Sequence, residues 1–213
     1  MDNNQVFIED HMMAINLDAL AKRDVYGLLS ESVTPRPIAF VGTLNENGTH
    51  NAAPYSYFNV VSVKPPLVMV SIGKRQGKTK DTAANIRRTN NFTVNLVDTA
   101  MIERVNAASG DYKNDQSEVD LVGLHSIRSQ SIEAPGIAES PVRFECEVER
   151  LIDLEDDNET TGVLVIGRIK RMQVTREGFT EGRIDAKKLD LVGRLGGNQY
   201  TKLGEVFELE RPK

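Results

Sequence analysis

Short apolar runs separated by turn residues dominate the chain between residues 38 and 72, and this pattern predicts strands rather than helices. The predicted strands are Ile38–Leu44, Thr49–Tyr55, Phe58–Val63 and Leu67–Ile72. Asn47-Gly48 marks a hairpin turn between the first two, and "KPP" breaks the last two. Further strands are expected at "FTVNLV", "VRFECEVERLIDL" and "VLVIGRIKRMQV", the last two joined by the acidic turn "EDDNETTG".

Three segments favour helices instead. Asp18–Ser30 is predicted to be helical, with Asp18 as N-cap. A second helix is expected from about Asp81 and a third over Thr99–Ser109, followed by a polar loop, "GDYKNDQSE". The face that the first helix would bury is formed by Leu20, Val25, Leu28 and Leu29. Strands at short spacing with a few helices suggest a closed antiparallel barrel with helices outside it, and an open α+β sheet is the alternative. Without a repeat or linker, residues 1–213 are expected to form a single domain.

The stretch "NAAPYSYFN", Asn51 to Asn59, departs from the alternation expected of a returning strand. Pro54 is expected to interrupt the ladder and leave nearby backbone groups free for a ligand. The small residues would let a flat ligand approach the backbone, while the hydroxyl and the rings would form the walls of a pocket for a polar-edged aromatic heterocycle. These residues are Ala52, Ala53, Tyr55, Ser56, Tyr57 and Phe58. A kinked edge strand without a ligand is the alternative.

The segment "GKRQGKT", Gly73 to Thr79, resembles a phosphate-binding loop but is one residue too short for that motif. Its bases lead into a predicted helix, and a helix N-terminus with hydroxyls and lysines suits one phosphate monoester. The residues concerned are Lys74, Arg75, Lys78, Thr79, Lys80, Asp81 and Thr82. The alternative is a solvated basic loop.

Other common chemistries lack support. None of His11, His50 and His125 has a second ligand at metal-binding spacing, and His50, just after the hairpin turn, is expected to be exposed. No serine has a Gly-x-Ser-x-Gly setting. "GRLGGNQY" has the wrong glycine spacing for a dinucleotide fingerprint. It is either a structural loop or a segment in which Arg194 and Tyr200 close over a ligand.

The composition of the chain limits the kinds of binding partner that are expected. With 26 Lys plus Arg against 31 Asp plus Glu, the net charge of −5 argues against nucleic acid or an anionic membrane. The polar, acidic start is unlike a signal peptide, and no apolar run approaches a membrane span. The lone cysteine, Cys146, is expected to be a buried strand thiol, and its solitude fits a reducing cytoplasm.

Several motifs in order resemble the flavin reductase-like family of FMN-binding split barrels, which includes flavoredoxins and reductase components of two-component monooxygenases. They are "PRPIA" from Pro35, Thr43, Gly48, "NAAPYS" from Asn51, Pro65-Pro66, "KDT" from Lys80, Asn85-Ile86 and "GRLGGNQY". The resemblance covers roughly residues 30–209, and the order and spacing of the motifs carry it.

The resemblance implies a mainly β fold, a six-stranded Greek-key split barrel with flanking helices, that forms a homodimer and binds FMN near the subunit interface. It assigns ring contacts to the region of Thr43 and of Asn51 to Phe58. It assigns phosphate contacts to Arg36, Lys80 and Thr82, with Asp81 beside them. It implies that the flavin performs the hydride chemistry, so no catalytic acid or base is expected among the side chains.

The function implied is transfer of a hydride from NADH or NADPH to flavin, with electrons passed to free flavin or a partner oxygenase. One departure qualifies it: some members carry a histidine that engages the nicotinamide where this chain has Gly162. Two alternatives therefore stand, a flavoredoxin-like electron carrier and a non-enzymatic flavin-binding protein.

Overall fold

A single antiparallel sheet organises the structure, a computed structural model that describes residues 7–9, 11–110, 112, 116–157 and 159–212. In chain order the strands are β1 (Phe7–Glu9), β2 (Met12–Ala14), β3 (Arg36–Pro37), β4 (Ala39–Leu44), β5 (His50–Tyr55), β6 (Phe58–Val63), β7 (Pro66–Gly73), β8 (Asn91–Leu96), β9 (Ser126–Ile127), β10 (Gly136–Ile137), β11 (Val142–Asp156), β12 (Glu159–Val174), β13 (Phe179–Thr180), β14 (Arg183–Ile184), β15 (Val192–Arg194) and β16 (Tyr200–Lys202). The helices are α1 (Lys22–Ser32), α2 (Asp81–Thr89), α3 (Ile102–Ala107), α4 (Glu118–Leu121) and α5 (Ala186–Leu189), with a 3₁₀ turn at Leu17–Ala19.

One short connection in the chain brings the two edges of the main sheet together. Its strands lie in the order β5-β4-β8-β11-β12-β7-β6, and every neighbouring pair is antiparallel. The two outermost strands, β5 and β6, are separated in sequence by only Ser56 and Tyr57, so the sheet must curl until its edges meet. No ladder joins β5 to β6 among the described residues. The sheet is therefore a barrel split at Ser56–Tyr57, which confirms the predicted fold class.

Side chains alternate between two cores because successive strand residues point to opposite faces. The barrel interior holds Val41, Val70, Phe92, Val94 and Val165, together with Cys146 as predicted. A second cluster covers the outer face of β4 and β5, where Phe40 and Ala52 pack against α3 and α4. Strand β4 is consequently buried on both faces.

Helix α2 contributes to the barrel interior instead of lying wholly outside it. Its Ala83 and Ile86 are buried in the same cluster as the interior strand residues. The predicted start near Asp81 is confirmed, and the helix ends at Asn90, which adopts the left-handed conformation with φ 59°. The start of α2 is thus held beside the beginning of β5.

Some sequence predictions need correction. The first helix begins at Lys22, and the residue before it, Ala21, gives no side-chain cap. Asp18 is not an N-cap, since its own N–H donates to Asn16 Oδ1 in the preceding 3₁₀ turn. Leu29 is exposed, so α1 buries less apolar surface than predicted. The main sheet has seven strands instead of the six expected. The predicted loop at residues 110–118 and the predicted turn at residues 155–162 lie partly outside the described residues.

Candidate functional site

Pro54 costs the sheet no hydrogen bond, which corrects the prediction that it interrupts the ladder. Strand β5 pairs with β4 over its full length, from His50 opposite Leu44 to Tyr55 opposite Ala39. The N–H of Ala52 points away from β4 and donates to Glu118 Oε2 at 3.3 Å. Two residues further on, Pro54 occupies the same kind of outward position, where an N–H would have no partner in β4. The proline fits because this is the free edge of the split.

Ala52 and Phe58 are buried away from any open surface, contrary to their predicted role, whereas Ala53 is only partly buried. Ala52 is fully buried in the outer cluster, whereas Ala53 packs against the interior one. Phe58 is 7% exposed and belongs to the barrel interior. Because Ala52 and Ala53 point to opposite faces, they form no common shelf.

An open cleft of about 530 Å³ runs along the split. That volume lies in the range typical of small-molecule sites. Six residues predicted to bind a cofactor line it: Pro54, Tyr55, Ser56, Lys80, Arg194 and Tyr200. The remaining lining residues come from the neighbouring elements: Lys22, Tyr26, Ile38, Tyr57, Ser71, Gly73, Lys74, Ile102, Val105, Asn106, Ser109, Leu154, Thr161 and Gly162.

The charges in the cleft are all of one sign. Four cations line it, Lys22, Lys74, Lys80 and Arg194, and no Asp or Glu does. None of the four lies within ion-pair distance of a carboxylate in the part of the chain that the structure describes. Elsewhere cations do pair, as in Arg87–Asp153, Arg104–Glu139, Arg168–Glu149, Lys170–Glu147 and Lys188–Asp185. Unpaired bases in an acidic protein point to an anionic ligand.

Lys80 is partly buried, whereas Lys22 and Lys74 are exposed. The Nζ of Lys80 lies 5.0 Å from the centre of the Tyr55 ring, within the range of a cation–π contact. Burial, and after it the neighbouring charge of Arg75, lowers the Lys80 pKa. An anion bound beside Lys80 would oppose both effects and hold the ammonium form. Lys80 also stands directly before α2, as its N-cap residue, and the first turn of a helix has backbone N–H groups without partners inside the helix.

Three other predicted ligands form a buried network beneath the cleft. Asn51 Nδ2 donates to Thr43 Oγ1 at 2.9 Å and to Thr82 Oγ1 at 3.1 Å. Asn85 Nδ2 donates to the same threonine, Thr43, at 3.2 Å. All four residues are buried and none lines the cleft. The network ties the start of α2 to β4 and β5 and thereby fixes the backbone that carries Lys80. Asp81 likewise lies outside the cleft lining, and burial raises its pKa.

Arg36 is a structural clamp in this structure, not an open phosphate ligand. Its guanidinium is buried and donates to the carbonyls of Ser30, Val33 and Leu195, and its Nε donates to Ser56 Oγ at 3.2 Å. These bonds join the end of α1, the segment after β15 and the corner of the split. Four of the five N–H donors of Arg36, the residue that the resemblance assigns to phosphate, are therefore used within the protein.

The cleft is also lined by residues that were not predicted from the sequence. Lys22 and Tyr26 stand four residues apart on α1, so both face the same way, and their spacing was the available signal. The Tyr26 ring stacks on Tyr57 with centroids 6.3 Å apart. Arg194 lies 4.4 Å from the centre of the Tyr200 ring, and Tyr200 Oη donates to Asn106 Oδ1 at 2.9 Å. The predicted pair Arg194 and Tyr200 is thus brought together at the cleft wall.

Two paired glycines form the mouth of the cleft beside Lys74. Gly162 lies opposite Gly73 in the β12–β7 ladder. A Cβ on Gly162 would stand 2.8 Å from the Ile72 carbonyl oxygen and 3.1 Å from Gly73 Cα. A Cβ on Gly73 would meet nothing within 4 Å. Position 162 therefore excludes any side chain, whereas position 73 opens into free space.

His50 is buried, and the prediction that it would be exposed is wrong. It is 5% exposed, and its Nδ1 lies 2.7 Å from Ser126 Oγ. Burial, opposed by the charge of Asp120, lowers its pKa to about 4. The hairpin turn is exposed, but α4 covers the strand that follows it. Within the described residues, no three His, Cys, Asp or Glu side chains are grouped to hold a metal.

The split barrel and its basic, aromatic cleft define a protein of the flavin-binding class. The chain matches the flavin reductase like domain over residues 31–188, and it belongs to the flavin reductase-like family. No helix in the described part of the chain is long and apolar enough to cross a membrane.

Three similar proteins illustrate the match. YwrF of Bacillus subtilis is 42% identical, with 94% of this chain and 100% of YwrF aligned. The structure of nitrilotriacetate monooxygenase component B from Bacillus cereus superposes with a TM-score of 0.91 at 38% identity, covering 94% of this chain and all of that one. The 2-nitrobenzoate 2-nitroreductase NbaA of Pseudomonas fluorescens gives 0.82 at 33% identity, covering 93% and 96%.

Proposed function

We propose that the protein is an FMN-dependent oxidoreductase that takes a hydride from NADH or NADPH and passes electrons to free flavin or to a partner oxygenase. The observation that carries the proposal is the cleft itself: tyrosines and four cations line it, no acidic residue does, and none of these cations forms an ion pair within the described residues. A ring system bearing a phosphate matches that lining in size, polarity and charge. Membership of the flavin reductase-like family supports the same ligand.

The residues divide the work of binding. We assign the phosphate to Lys74, Lys80 and the first turn of α2, because charge-assisted hydrogen bonds to phosphate are strong and directional. We assign the ring to the corner of the split, where Pro54, Tyr55 and Ser56 line the cleft. When bound, FMN supplies the hydride-accepting chemistry, and the protein supplies orientation. No side chain is assigned as a catalytic acid or base.

A homodimer is part of the proposal. Strand β6 is an edge of the sheet, its ladder partner is β7, and its Val60, Val61 and Val63 are exposed. Exposed apolar residues on an edge strand favour association with another chain. If both subunits cover the ring, dilution should release FMN in step with dissociation. Sedimentation followed at protein and flavin wavelengths tests this, and fully occupied monomers would contradict it.

We also propose an electron acceptor and a cellular location for the protein. The similarity to a monooxygenase component supports an oxygenase as the electron acceptor. The single buried cysteine is compatible with a cytoplasmic protein. The acidic net charge gives no reason to propose nucleic acid as a ligand.

Gly162 favours a second candidate, an electron carrier that oxidises nicotinamide nucleotides poorly. No side chain at that position can reach a nicotinamide ring, since even a Cβ would collide with the Ile72 carbonyl. Steady-state consumption of NADH or NADPH with added FMN separates the two. Rapid turnover supports the reductase. A flavin-loaded protein without turnover that accepts electrons from another protein supports the carrier.

A further inference from the structure

The four cations of the cleft come from two different parts of the chain, and FMN as assigned above uses only those from one part. Lys74 and Lys80 belong to the segment from the end of β7 to the start of α2. Lys22 and Arg194 are carried by α1 and β15. FMN has a single phosphate, so Lys22 and Arg194 remain without a counter-charge.

Lys22 lines the cleft, and among the described residues its side chain makes no hydrogen bond or ion pair. It lies one helical turn before Tyr26, so helix geometry directs both side chains to the cleft. No carboxylate pairs with it in the described ranges, although Asp and Glu outnumber Lys and Arg in the chain. Water alone would satisfy the hydrogen bonds of an isolated exposed lysine. Lys22, however, lines the same cleft as a second cation, Arg194.

Arg194 is oriented by two contacts that leave most of its donors available. Its guanidinium lies over the Tyr200 ring and donates to the Gly197 carbonyl. Tyr200 is itself fixed by its hydrogen bond to Asn106 in α3. A guanidinium held flat on a ring presents its remaining N–H groups in a fixed direction, which suits phosphate or carboxylate.

Aromatic surface accompanies these bases. Tyr26 is 57% exposed and Tyr57 is 38% exposed, although the two rings stack on each other. Exposed tyrosine faces beside bases bind ring systems that carry a negative charge, by stacking and by charge together. The apolar side chains of Ile102 and Val105 line the same cleft and add surface for such a ring.

We propose that Lys22, Tyr26 and Arg194 form a second subsite that binds an aromatic anion, the reactant that exchanges electrons with FMN. This inference rests on the proposed function, because it places FMN at Lys74 and Lys80. Two sources offer the required chemistry: the adenine nucleotide half of a nicotinamide dinucleotide and a small aromatic carboxylate. Both combine a flat ring with an anionic group.

The test uses the FMN-loaded protein with AMP, benzoate and ribose 5-phosphate as probes, each titrated as a competitor of NADH oxidation and by calorimetry. AMP or benzoate should bind, and ribose 5-phosphate, which lacks an aromatic ring, should bind at least about tenfold more weakly. Competition by AMP identifies the nucleotide as the natural ligand type, and competition by benzoate alone identifies an aromatic acid. Equal binding of all three, or of none, overturns the proposal.

Variants connect the binding to the named residues. Lys22→Ala, Tyr26→Ala and Arg194→Ala should each weaken the competing probe about tenfold or more, the loss expected for one charge-assisted or stacking contact. FMN affinity, measured separately by fluorescence quenching, should change less than about twofold. Lys187→Ala, an exposed lysine on α5, is the matched control and should change neither.

The outcome separates the two proposals. If the wild type binds no FMN, the proposed function fails. If FMN binds normally and the three variants bind the aromatic probes as well as the wild type does, the second subsite alone is refuted. A variant that loses its fold is replaced by the milder Lys22→Gln, Tyr26→Leu or Arg194→Gln, to which the same criterion applies.

Discussion

Lys80 Nζ lies 5.0 Å from the centre of the Tyr55 ring, and this contact joins the first turn of α2 to the corner at which the barrel is split. The lysine stands between the two parts of the proposed flavin site, the phosphate end and the ring end. Its position depends on the buried network of Asn51, Thr43 and Thr82 below it.

Replacing Lys80 with alanine should weaken FMN far more than riboflavin, which lacks the phosphate. One charge-assisted contact is worth about 1.5–3 kcal/mol, or roughly tenfold to a hundredfold in affinity. Fluorescence titration of both flavins against Lys80→Ala and the control Lys187→Ala measures the difference. Equal losses for the two flavins would place the phosphate elsewhere.

Arg36→Met should destabilise the fold instead of acting selectively on the phosphate. The change leaves the carbonyls of Ser30, Val33 and Leu195 without their common donor, at a cost of about 3 kcal/mol. Urea unfolding measures the loss of stability. In the folded fraction, FMN and riboflavin affinities should fall by similar factors. A stable variant with a loss confined to FMN would restore Arg36 as a phosphate ligand.

The two glycines at the cleft mouth should respond differently to the same added methyl group. Gly162→Ala places its Cβ 2.8 Å from the Ile72 carbonyl oxygen, and overpacking of this kind costs about 1–3 kcal/mol. Gly73→Ala meets no neighbour and should be tolerated. Paired thermal denaturation curves check this. Equal midpoints for the two variants would show that position 162 is not restricted as described.

His50 should make the protein less stable as the pH falls from about 6.5 towards 4. Burial lowers its folded-state pKa from 6.5 to about 4, so between these values the unfolded chain binds a proton that the folded chain does not. Stability therefore rises with pH across the window, by up to about 3 kcal/mol. Urea unfolding of His50→Gln should show a flatter profile than the wild type, and His11→Gln, at an exposed position, serves as the matched histidine control. A steep profile in His50→Gln would assign the dependence to other groups.

The sequence was sufficient to predict the strands, because the alternation of apolar and polar residues and the turn residues are local features of the chain. The strand pairs around Asn47-Gly48 and the acidic turn follow directly from them. Burial of His50 could not be predicted, since it depends on α4, more than sixty residues away along the chain. Whether the backbone nitrogen of Pro54 faces a neighbouring strand or an open edge depends on the order of the strands in the folded sheet. The residues around Pro54 do not show that order. The same holds for Arg36, whose partner Leu195 is 159 residues distant.

Lys22 and Tyr26 show which part of the candidate site could not be predicted from the sequence. Their spacing on α1 was visible, but nothing in the sequence placed that helix beside β15 and the corner of the split. The phosphate end was easier, because Lys74, Lys80 and the start of α2 are close together in the chain. A binding site assembled from distant elements becomes recognisable only when the fold brings them together.

The most direct test of the central claim, that the cleft at the split is the flavin site, is flavin retention by the wild type and by Gly73→Phe. Gly73 lies at the mouth of the cleft and a Cβ there would meet nothing within 4 Å, so a phenyl ring should obstruct the entry of flavin and leave the fold intact. After incubation with FMN and gel filtration, the wild type should elute with about one flavin per chain, and the folded variant with none. A wild type that elutes without flavin, or a folded Gly73→Phe that retains as much as the wild type, would contradict the account.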